Sequence, residues 1–298
     1  MAPIHVVVVA YGPVDGLQGC LEGLGGAFTA TVVDNGSDPD ARAVCEAVGA
    51  HYIDAGRNLG FAAAVNVALG TIDLSRHDVL LLNPDASIAP ADVNRLGEAL
   101  QADPSVACTA PSQHRPGASG HATVCWPFPT PGGAWLEALG FGRFLSRYDY
   151  LIASILLVRG AALLDVGGFD EGFFLYAEEA DWERRAHGRG WTVRYCPDIE
   201  ALHVGAGTED DSDRRQLRFH AGVERHVRKW HGPVGWNSYR AATVLTALRR
   251  AVVARGPART RSVELARLYA AGPYRLAVRS GAIPVVDHHI PEFGPARP

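Results

Sequence analysis

The sequence predicts an α/β protein with a doubly wound sheet and a helical C-terminal extension. Short apolar runs recur between helical patterns at residues 5–11, 30–34, 51–54, 79–82 and 106–110. Runs such as VVVVA and VLLL do not alternate with polar residues, which is typical of parallel strands covered on both faces. From residue 208 the pattern becomes helical, over residues 213–230, 239–255 and 260–271, with breaks at Gly-Pro pairs. Residues 1–207 therefore form the predicted α/β unit and residues 208–298 the extension.

Composition indicates a soluble globular chain. The 298 residues are 47% hydrophobic, which is ample for a core. No apolar run approaches the roughly 20 residues of a membrane helix, and the start MAPIHVVVVAYG enters a strand pattern without a cationic leader. The five cysteines lack CxxC spacing. We therefore expect a cytoplasmic protein with reduced thiols and no zinc cluster.

The net charge of −4 conceals an asymmetry. Residues 206–298 hold 16 Lys and Arg against 8 Asp and Glu, whereas residues 1–205 hold 12 against 24, so the balances are +8 and −12. A basic tail can meet anionic lipid or the acidic body of its own chain; nucleic acid is disfavoured because no nucleic-acid motif is present. The helix 240–255 suits packing on the body or lying on a membrane surface, with apolar Val244, Leu245, Leu248 and Val252 on one face and Arg249, Arg250 and Arg255 near its end.

Polar residues follow three of the predicted strands. Tyr11 follows the first strand, Asp34 and Asn35 end the second, and Asn83-Pro84-Asp85 follows VLLL. Ligands of doubly wound sheets bind beyond the carboxyl ends of the strands, so these side chains should converge on one crevice. Asp85 could there supply one oxygen ligand to Mg²⁺ or Mn²⁺. Both polar segments are also good turn sequences, which leaves a purely structural interpretation open.

The densest acidic segment is GFDEGFFLYAEEADWERR at residues 168–185. Glu178, Glu179 and Asp181 fall in the first turn of a predicted helix over residues 178–189, where the helix dipole favours carboxylates. A charged helix start is therefore one interpretation. The preceding Phe-Phe-Leu-Tyr favours the other, since it would place the carboxylates against an apolar wall, where one can act as a general base.

The segment between residues 111 and 148 is rich in Pro and Gly around Trp126 and Trp135. We expect a long loop region that either lines a substrate cleft or forms an ordinary surface excursion. Further strands are predicted at residues 149–158, 192–196 and 201–204.

Taken in order, these segments resemble family 2 glycosyltransferases with the GT-A fold. The matching pieces span residues 4 to about 208 and read VVVVAYGP, VVDNGSD, RNLGFAAAVN, LLNPDA, DVGGFDEGFFLYAEEADWERRAHGRGW and HVGAGT. They are most similar to the bacterial branch that includes rhamnosyltransferases. The resemblance implies a mixed doubly wound sheet, a nucleotide-sugar half over about 1–110 and an acceptor half over about 111–207.

The same resemblance implies a metal-dependent, inverting transfer from a nucleotide-diphosphate sugar. It assigns the donor substrate to Tyr11, Asp34, Asn35, Arg57, Asn58, Gly60, Phe61, Asn66, Asn83 and Asp85. Asn83-Pro84-Asp85 stands at the family's DxD position, and because Asn replaces the first Asp, Asp85 becomes the main acidic ligand for Mg²⁺ or Mn²⁺. His203 in HVGAGT matches a position that completes the metal shell or touches the diphosphate.

Glu178-Glu179-Ala180-Asp181 matches the family's Glu-Asp-x-Asp motif. Glu179 takes the position of the general base, where many relatives have Asp, and Glu178 and Asp181 belong to the same catalytic motif. Residues expected near the acceptor are Trp126, Ser154, Tyr176 and Trp182. The resemblance implies that the acceptor is a hydroxyl of a glycan, a lipid-linked intermediate or a natural product.

Several alternatives stay open at this point. The preferred donor is dTDP-L-rhamnose, and a UDP-hexose, UDP-hexosamine or galactofuranose donor is the alternative. A glycoside hydrolase also uses two carboxylates but needs no nucleotide crevice, and a non-catalytic nucleotide-sugar-binding protein is the third possibility. A Rossmann dehydrogenase is disfavoured because no GxGxxG follows the first strand. Peripheral membrane contact through the tail and a homodimer are both compatible with the sequence.

Overall fold

A computed structural model describes residues 2–36, 39–117, 120–145, 148–205 and 212–294. The strands in chain order are β1 Ile4–Ala10, β2 Thr29–Asp34, β3 His51–Asp54, β4 Asp78–Leu82, β5 Ala86–Ser87, β6 Val106–His114, β7 His121–Ala122, β8 Cys125–Trp126, β9 Tyr150–Leu151, β10 Ile155–Val158 and β11 Thr192–His203. The helices are α1 Val14–Gly23, α2 Pro39–Val48, α3 Phe61–Leu69, α4 Pro90–Gln101, α5 Pro131–Ala138, α6 Gly160–Val166, α7 Glu178–His187, α8 Ser212–Val253, α9 Pro257–Ala271 and α10 Pro273–Arg279, with a 3₁₀ turn at Gly142–Phe144.

One mixed sheet organises the α/β unit. Its order is β3-β2-β1-β4-β10-β6-β11-β5, with β7 paired to β6. The first four strands are parallel, as the alternation of strands with helical segments predicts. Strand β10, in contrast, is antiparallel to both β4 and β6. Because β10, from the expected second half, is inserted between β4 and β6, residues 1–110 and 111–207 contribute strands to a single sheet.

The non-alternating strands are buried on both faces, as predicted. In β1, Val6 and Val8 belong to one apolar layer, and Val7 and Val9 to the layer on the opposite face. The leucines and valine of β4 divide between the same two layers. This double burial fixes β1 and β4 at the centre of the sheet and so fixes the place where their carboxyl ends emerge.

Three predicted elements differ from the structure. The expected strand 149–158 is broken after Leu151 by a turn, and the carbonyl of Ser154 in that turn accepts a hydrogen bond from the Asn83 amide at 2.8 Å. The two strands expected at 192–196 and 201–204 form the single strand β11, whose register shifts between Cys196 and Glu200; Pro197 lies in that interval and has no N–H to donate. The expected loop 111–148 contains α5 and short strands.

The C-terminal extension is packed onto the α/β unit. Helix α8 is kinked at Gly232, where φ is 66°, and α9 and α10 both pack against it. The chain then returns to the α/β unit, where the carbonyls of His289 and Pro291 accept hydrogen bonds from the amides of Glu171 and Gly168, each at 2.8 Å. The expected boundary at residue 207 lies outside the described residues, as does the end of the HVGAGT motif. No helix among the described residues is long and apolar enough to cross a membrane.

Gly160 tests the packing of the start of α6 against the segment that precedes β4. A Cβ at this position would collide with the carbonyl oxygens of Leu74 and His77, while its amide donates to the buried Asp78 carboxylate at 3.0 Å. We expect Gly160→Ala to lower the free energy of unfolding by about 1–3 kcal/mol through overpacking, measured by urea denaturation. The matched control is Gly19→Ala in α1, where a Cβ meets nothing within 4 Å; it should raise stability by up to about 1 kcal/mol. Equal stability of the two variants would contradict the packing described.

Candidate active site

A cavity of about 360 Å³ opens beyond the carboxyl ends of the central strands. Tyr11 after β1, Asn35 after β2 and Asp85 after β4 line it together. The N-terminus of α7 contributes Glu178 and Glu179 to the same space. The strand ends and the acidic segment, which are 93 to 168 residues apart in the sequence, therefore meet at one site.

The edge of the cavity after β2 is built from backbone and side-chain amides. Asn35 donates to the Asn58 side chain at 3.0 Å and to the Gly60 carbonyl at 3.3 Å, and its own oxygen accepts from the Leu59 amide at 2.7 Å. Gly60 has φ of 85°, and a Cβ there would collide with the Phe174 carbonyl. These contacts tie the Asn58–Phe61 loop both to the sheet and to the acidic segment. Of the residues predicted for the donor substrate, the cavity is lined by Tyr11, Asn35, Asn58, Gly60, Phe61, Asn83 and Asp85.

Three residues predicted for the donor lie outside the cavity lining. Asp34 is buried and accepts hydrogen bonds from the Gly36 amide and, at 2.7 Å, from the Tyr52 hydroxyl. Burial and that hydrogen bond raise the pKa of Tyr52 to about 12. Arg57 is exposed. Asn66 is buried, and both ends of its amide bind the Phe169–Glu171 turn. Asp34 and Asn66 thus support the cavity walls rather than face the cavity.

Asp85 and His203 form the polar floor of the cavity. The Asp85 carboxylate lies 3.3 Å from His203 Nε2, and the side-chain nitrogen of Asn83 lies 3.3 Å from the same atom. Asp85 follows β4 and His203 ends β11, so the sheet itself sets their separation. The described residues contain no group of three or more His, Cys, Asp or Glu that could hold a metal ion. A cation at this pair would therefore take most of its ligands from a substrate, as Mg²⁺ at nucleotide sites commonly does.

The backbone just before α7 is left-handed at two non-glycine residues. Tyr176 has φ of 71° and Ala177 has φ of 70°, a conformation that costs about 1–3 kcal/mol per residue. Two contacts hold it: the Phe61 amide donates to the Phe174 carbonyl at 2.8 Å, and Gly222 of α8 lies so close to the Tyr176 carbonyl that a Cβ there would collide with it. The strained turn directs Glu178 and Glu179 toward the cavity.

Burial separates the carboxyl groups of α7 by their pKa values. Burial raises the pKa of Glu178 and of Glu183 well above the ordinary value, and a neighbouring carboxyl adds to each shift. It raises the pKa of Glu179 to about 7. Of these three glutamates, Glu179 has the pKa closest to neutrality. Glu178 Oε2 is buried without a hydrogen-bond partner among the described residues, so it can accept a hydrogen bond from a substrate group.

Asp181 was predicted as part of the catalytic motif, but it does not line the cavity. It is fully buried, with Lys229 at 2.7 Å, Arg185 at 3.0 Å and the Trp230 indole N–H at 3.0 Å from its carboxylate. Lys229 also lies 2.7 Å from the carboxylate of Asp170 and is the only lysine in the chain. Asp181 therefore links α7 to α8 through Lys229 and Trp230.

The residues predicted near the acceptor divide in the same way. Trp126, Ser154 and Tyr176 line the cavity, and the Ser154 hydroxyl donates to the buried Gln113 side chain at 2.9 Å. Trp182 is fully buried, and its indole N–H donates to the Gly167 carbonyl at 2.9 Å. It is a core residue that packs within the sheet's apolar layer and does not line the cavity.

Helix α8 contributes cavity residues that the sequence did not predict. Arg215, Arg218 and Phe219 from its first turns line the same cavity as Asp85 and His203. Arg218 is buried, donates to the Ala282 carbonyl at 2.8 Å and stacks over the Phe174 ring. The spacing of the two arginines places them on one helix face, which was the available signal, but the basic tail had no motif that linked it to the strand ends.

The fold is the GT-A fold of known glycosyltransferases. The structure is similar to the mannosyltransferase PcManGT from Pyrobaculum calidifontis, with a TM-score of 0.55 and 15% identity over 94% of this chain and 84% of that one. It is also similar to glucosyl-3-phosphoglycerate synthase from Mycobacterium tuberculosis, with a TM-score of 0.54 and 15% identity over 76% of this chain and 80% of that one. At these identities the likeness concerns the fold.

Sequence comparison finds the same class of protein. Residues 5–140 match the family model for glycosyl transferase family 2. The chain is 28% identical to N-acetylglucosaminyl-diphospho-decaprenol L-rhamnosyltransferase from Mycobacterium tuberculosis, over 78% of this chain and 88% of that protein. It is 25% identical to the low-salt glycan biosynthesis hexosyltransferase Agl10 from Haloferax volcanii, over 67% and 66%. Residues 5–140 are therefore similar to glycosyl transferase family 2 domains, and the chain as a whole is similar to a rhamnosyltransferase.

Lys229→Met tests the anchor between α7 and α8. Removing the ammonium leaves two fully buried carboxylates without their shared cation, so we expect a loss of about 3–5 kcal/mol of folding free energy, measured by chemical denaturation. Arg189→Met is the control, because Arg189 and Asp165 form an exposed pair at 3.0 Å whose removal should cost at most about 1 kcal/mol. If both variants lose equally little, the bridge does not hold the two helices together.

Proposed function

We propose that the protein transfers L-rhamnose from dTDP-L-rhamnose to a hydroxyl group of a lipid-linked acceptor, with inversion at the anomeric carbon. The observation that carries the proposal is the position of Glu179: a carboxyl group with a pKa of about 7 lines the same cavity as the Asp85–His203 pair. A base that is half ionised near neutral pH is suited to take the proton of a sugar hydroxyl. A nucleotide-sugar-binding protein without activity has no need of it.

The chain's own residues account for the proton and the leaving group. Glu179 accepts the proton of the acceptor hydroxyl while that oxygen forms a bond to the anomeric carbon of the donor. The bond from that carbon to the diphosphate oxygen breaks on the opposite face, and the electron pair leaves with the diphosphate. Arg215 and Arg218 line the cavity and would stabilise the developing negative charge. Glu178, neutral at this pH, would hold a hydroxyl of donor or acceptor.

The Asp85–His203 pair fits a divalent cation. A carboxylate oxygen and an imidazole nitrogen suit Mn²⁺, and the carboxylate also suits Mg²⁺. When bound, the cation would supply charge neutralisation of the leaving diphosphate. The relative PcManGT is described in complex with GDP-Man and Mn²⁺, which supports a metal at this position without fixing its identity.

The choice of rhamnose and of a lipid-linked acceptor is supported by the 28% identical relative, whose name specifies L-rhamnosyl transfer to N-acetylglucosaminyl-diphospho-decaprenol. The cavity contains apolar surface from Trp126, Tyr176 and Phe219 beside the two arginines. A diphosphate-linked sugar with an apolar tail combines the same two properties. The hexosyltransferase relative keeps another hexose donor as the alternative.

Glu179→Gln tests the base. The amide keeps the shape of the side chain but cannot accept the proton, so we expect kcat to fall by about 10²–10⁴-fold while binding of dTDP-L-rhamnose is retained. In the unchanged protein, kcat should rise with pH through about 7 and then level, because the raised pKa keeps Glu179 protonated on the acid side. Release of dTDP in step with acceptor consumption is the measurement.

The control is Glu178→Gln in the same wall. Since the Glu178 carboxyl group is already neutral near pH 7, the amide replaces it closely, and the loss should be smaller with the rise of kcat with pH retained. A larger loss for Glu178→Gln than for Glu179→Gln would reverse the assignment. Sugar release without an acceptor-linked product would instead indicate a hydrolase.

Asp85→Asn tests the metal. The substitution removes the one carboxylate of the Asp85–His203 pair, so the stabilisation that Mn²⁺ adds to the complex with dTDP should shrink or disappear. A thermal-shift titration measures this directly, because binding free energy appears as added stability. Asp54→Asn is the control, since Asp54 ends β3 and lies outside the cavity lining. An undiminished Mn²⁺ effect in Asp85→Asn would place the cation elsewhere.

A further inference from the structure

The end of the α8–α9 hairpin exposes several apolar side chains to solvent. In what we call the hairpin tip, residues 245–261, Val252 is 84% and Val253 82% exposed, and Leu248 is 50% exposed. The residues buried inside the tip are the small Ala247 and Ala251. Nearer its base the hairpin is held by a cluster of Trp236, Tyr239 and Tyr269, so the tip is a projection from a rigid stem.

The same tip carries an uncompensated positive charge. The chain has no Asp or Glu between Glu224 and Glu264. Five arginines lie in the tip and all are exposed: Arg249, Arg250, Arg255, Arg259 and Arg261. None of the five forms an ion pair with another residue in the part of the chain that the structure describes. The tip therefore combines exposed aliphatic side chains with five exposed guanidinium groups that form no ion pair among the described residues.

We propose that the hairpin tip docks the protein on an anionic lipid bilayer, with Val252 and Val253 inserted at the level of the headgroups and the arginines bound to lipid phosphates. Two adjacent exposed valines at the end of a hairpin can be buried in a deformable medium. The headgroup region of a bilayer is such a medium and needs no preformed binding pocket. Apolar insertion together with basic residues is the combination that retains proteins at an anionic interface. Nucleic acid would leave the valines in water.

The docking gives the C-terminal extension a role in the proposed reaction. The first turns of α8 line the cavity, and its last residue is Val253 in the tip. One kinked helix therefore joins the cavity to the membrane surface. The segment after the kink, 21 residues from Pro233 to Val253, is about 30 Å long. Docking would hold the cavity at a fixed height above the bilayer, where the diphosphate-linked sugar of a lipid acceptor emerges.

The test is co-sedimentation of the full chain with vesicles of equal parts phosphatidylcholine and phosphatidylglycerol, and with phosphatidylcholine alone. Because each basic residue near an anionic surface strengthens binding about fivefold, Arg249→Glu with Arg250→Glu should reduce binding by more than about 25-fold. Val252→Asp with Val253→Asp should also reduce it. The controls are Arg76→Glu with Arg95→Glu on the α/β unit, and Val285→Asp, which alters a 75% exposed valine outside the tip.

The outcomes separate this proposal from the proposed function. Binding only to the anionic vesicles, lost in the tip variants and kept in the controls, would support it. Absence of binding by the unchanged protein, or equal binding by the tip variants, would overturn it; the second result would point to another surface, such as the exposed Phe141 and Phe144. A dimer in solution that only the tip variants dissociate, without vesicle binding, would assign the tip to a second copy. Thermal shift with dTDP-L-rhamnose, recorded on the same samples, reports the donor site independently.

Discussion

The arrangement of the cavity depends on the contact between α8 and the acidic segment. Two residues that differ most from ordinary backbone, Tyr176 and Ala177, have no favourable reason of their own to be left-handed, and such a conformation persists only where the surroundings impose it. Two residues of α8 hold this region: Gly222 lies against the Tyr176 carbonyl, and Lys229 binds the carboxylates on either side of the turn. They are seven residues apart, which places them on the same face of α8 two turns apart. Gly222 lets the helix approach the strained turn closely. Lys229 binds Asp170 before the turn and Asp181 after it.

The choice of lysine at this contact follows from geometry. The chain otherwise uses arginine for its basic residues, but the ammonium group is compact and its three N–H groups can serve two carboxylates that converge on one point. Burial alone would raise the pKa of Asp170, yet the hydrogen bond and charge of Lys229, with His288 and the Gly172 amide, hold that pKa below its ordinary value. The contribution of this carboxylate to stability is thus present at neutral pH and is lost in acid.

The sequence predicted the sheet and most of the cavity because these follow from local patterns. Non-alternating strands and polar residues at their ends are visible in any short window, and Tyr11, Asn35 and Asp85 indeed share one cavity. What it could not show is the tertiary packing around α7: Asp181 and Trp182 lie outside the cavity lining because Asp181 binds α8 and the Trp182 indole binds the Gly167 carbonyl. Arg215 and Arg218 were missed because their place depends on tertiary packing of α8.

These contacts also explain how a helix start with so many carboxyl groups can keep one of them reactive. The N-terminus of α7 would favour ionisation of all of them, but burial opposes it, and the two effects balance differently at each position. The Asp181 carboxylate binds Lys229 and Arg185, while burial raises the pKa of Glu178 and of Glu183 well above the ordinary value. Glu179 lies between these extremes, with its pKa near 7. The extension that binds Asp181 therefore keeps this carboxyl group out of the cavity, and Glu178 and Glu179 are the carboxyl groups of α7 that line it.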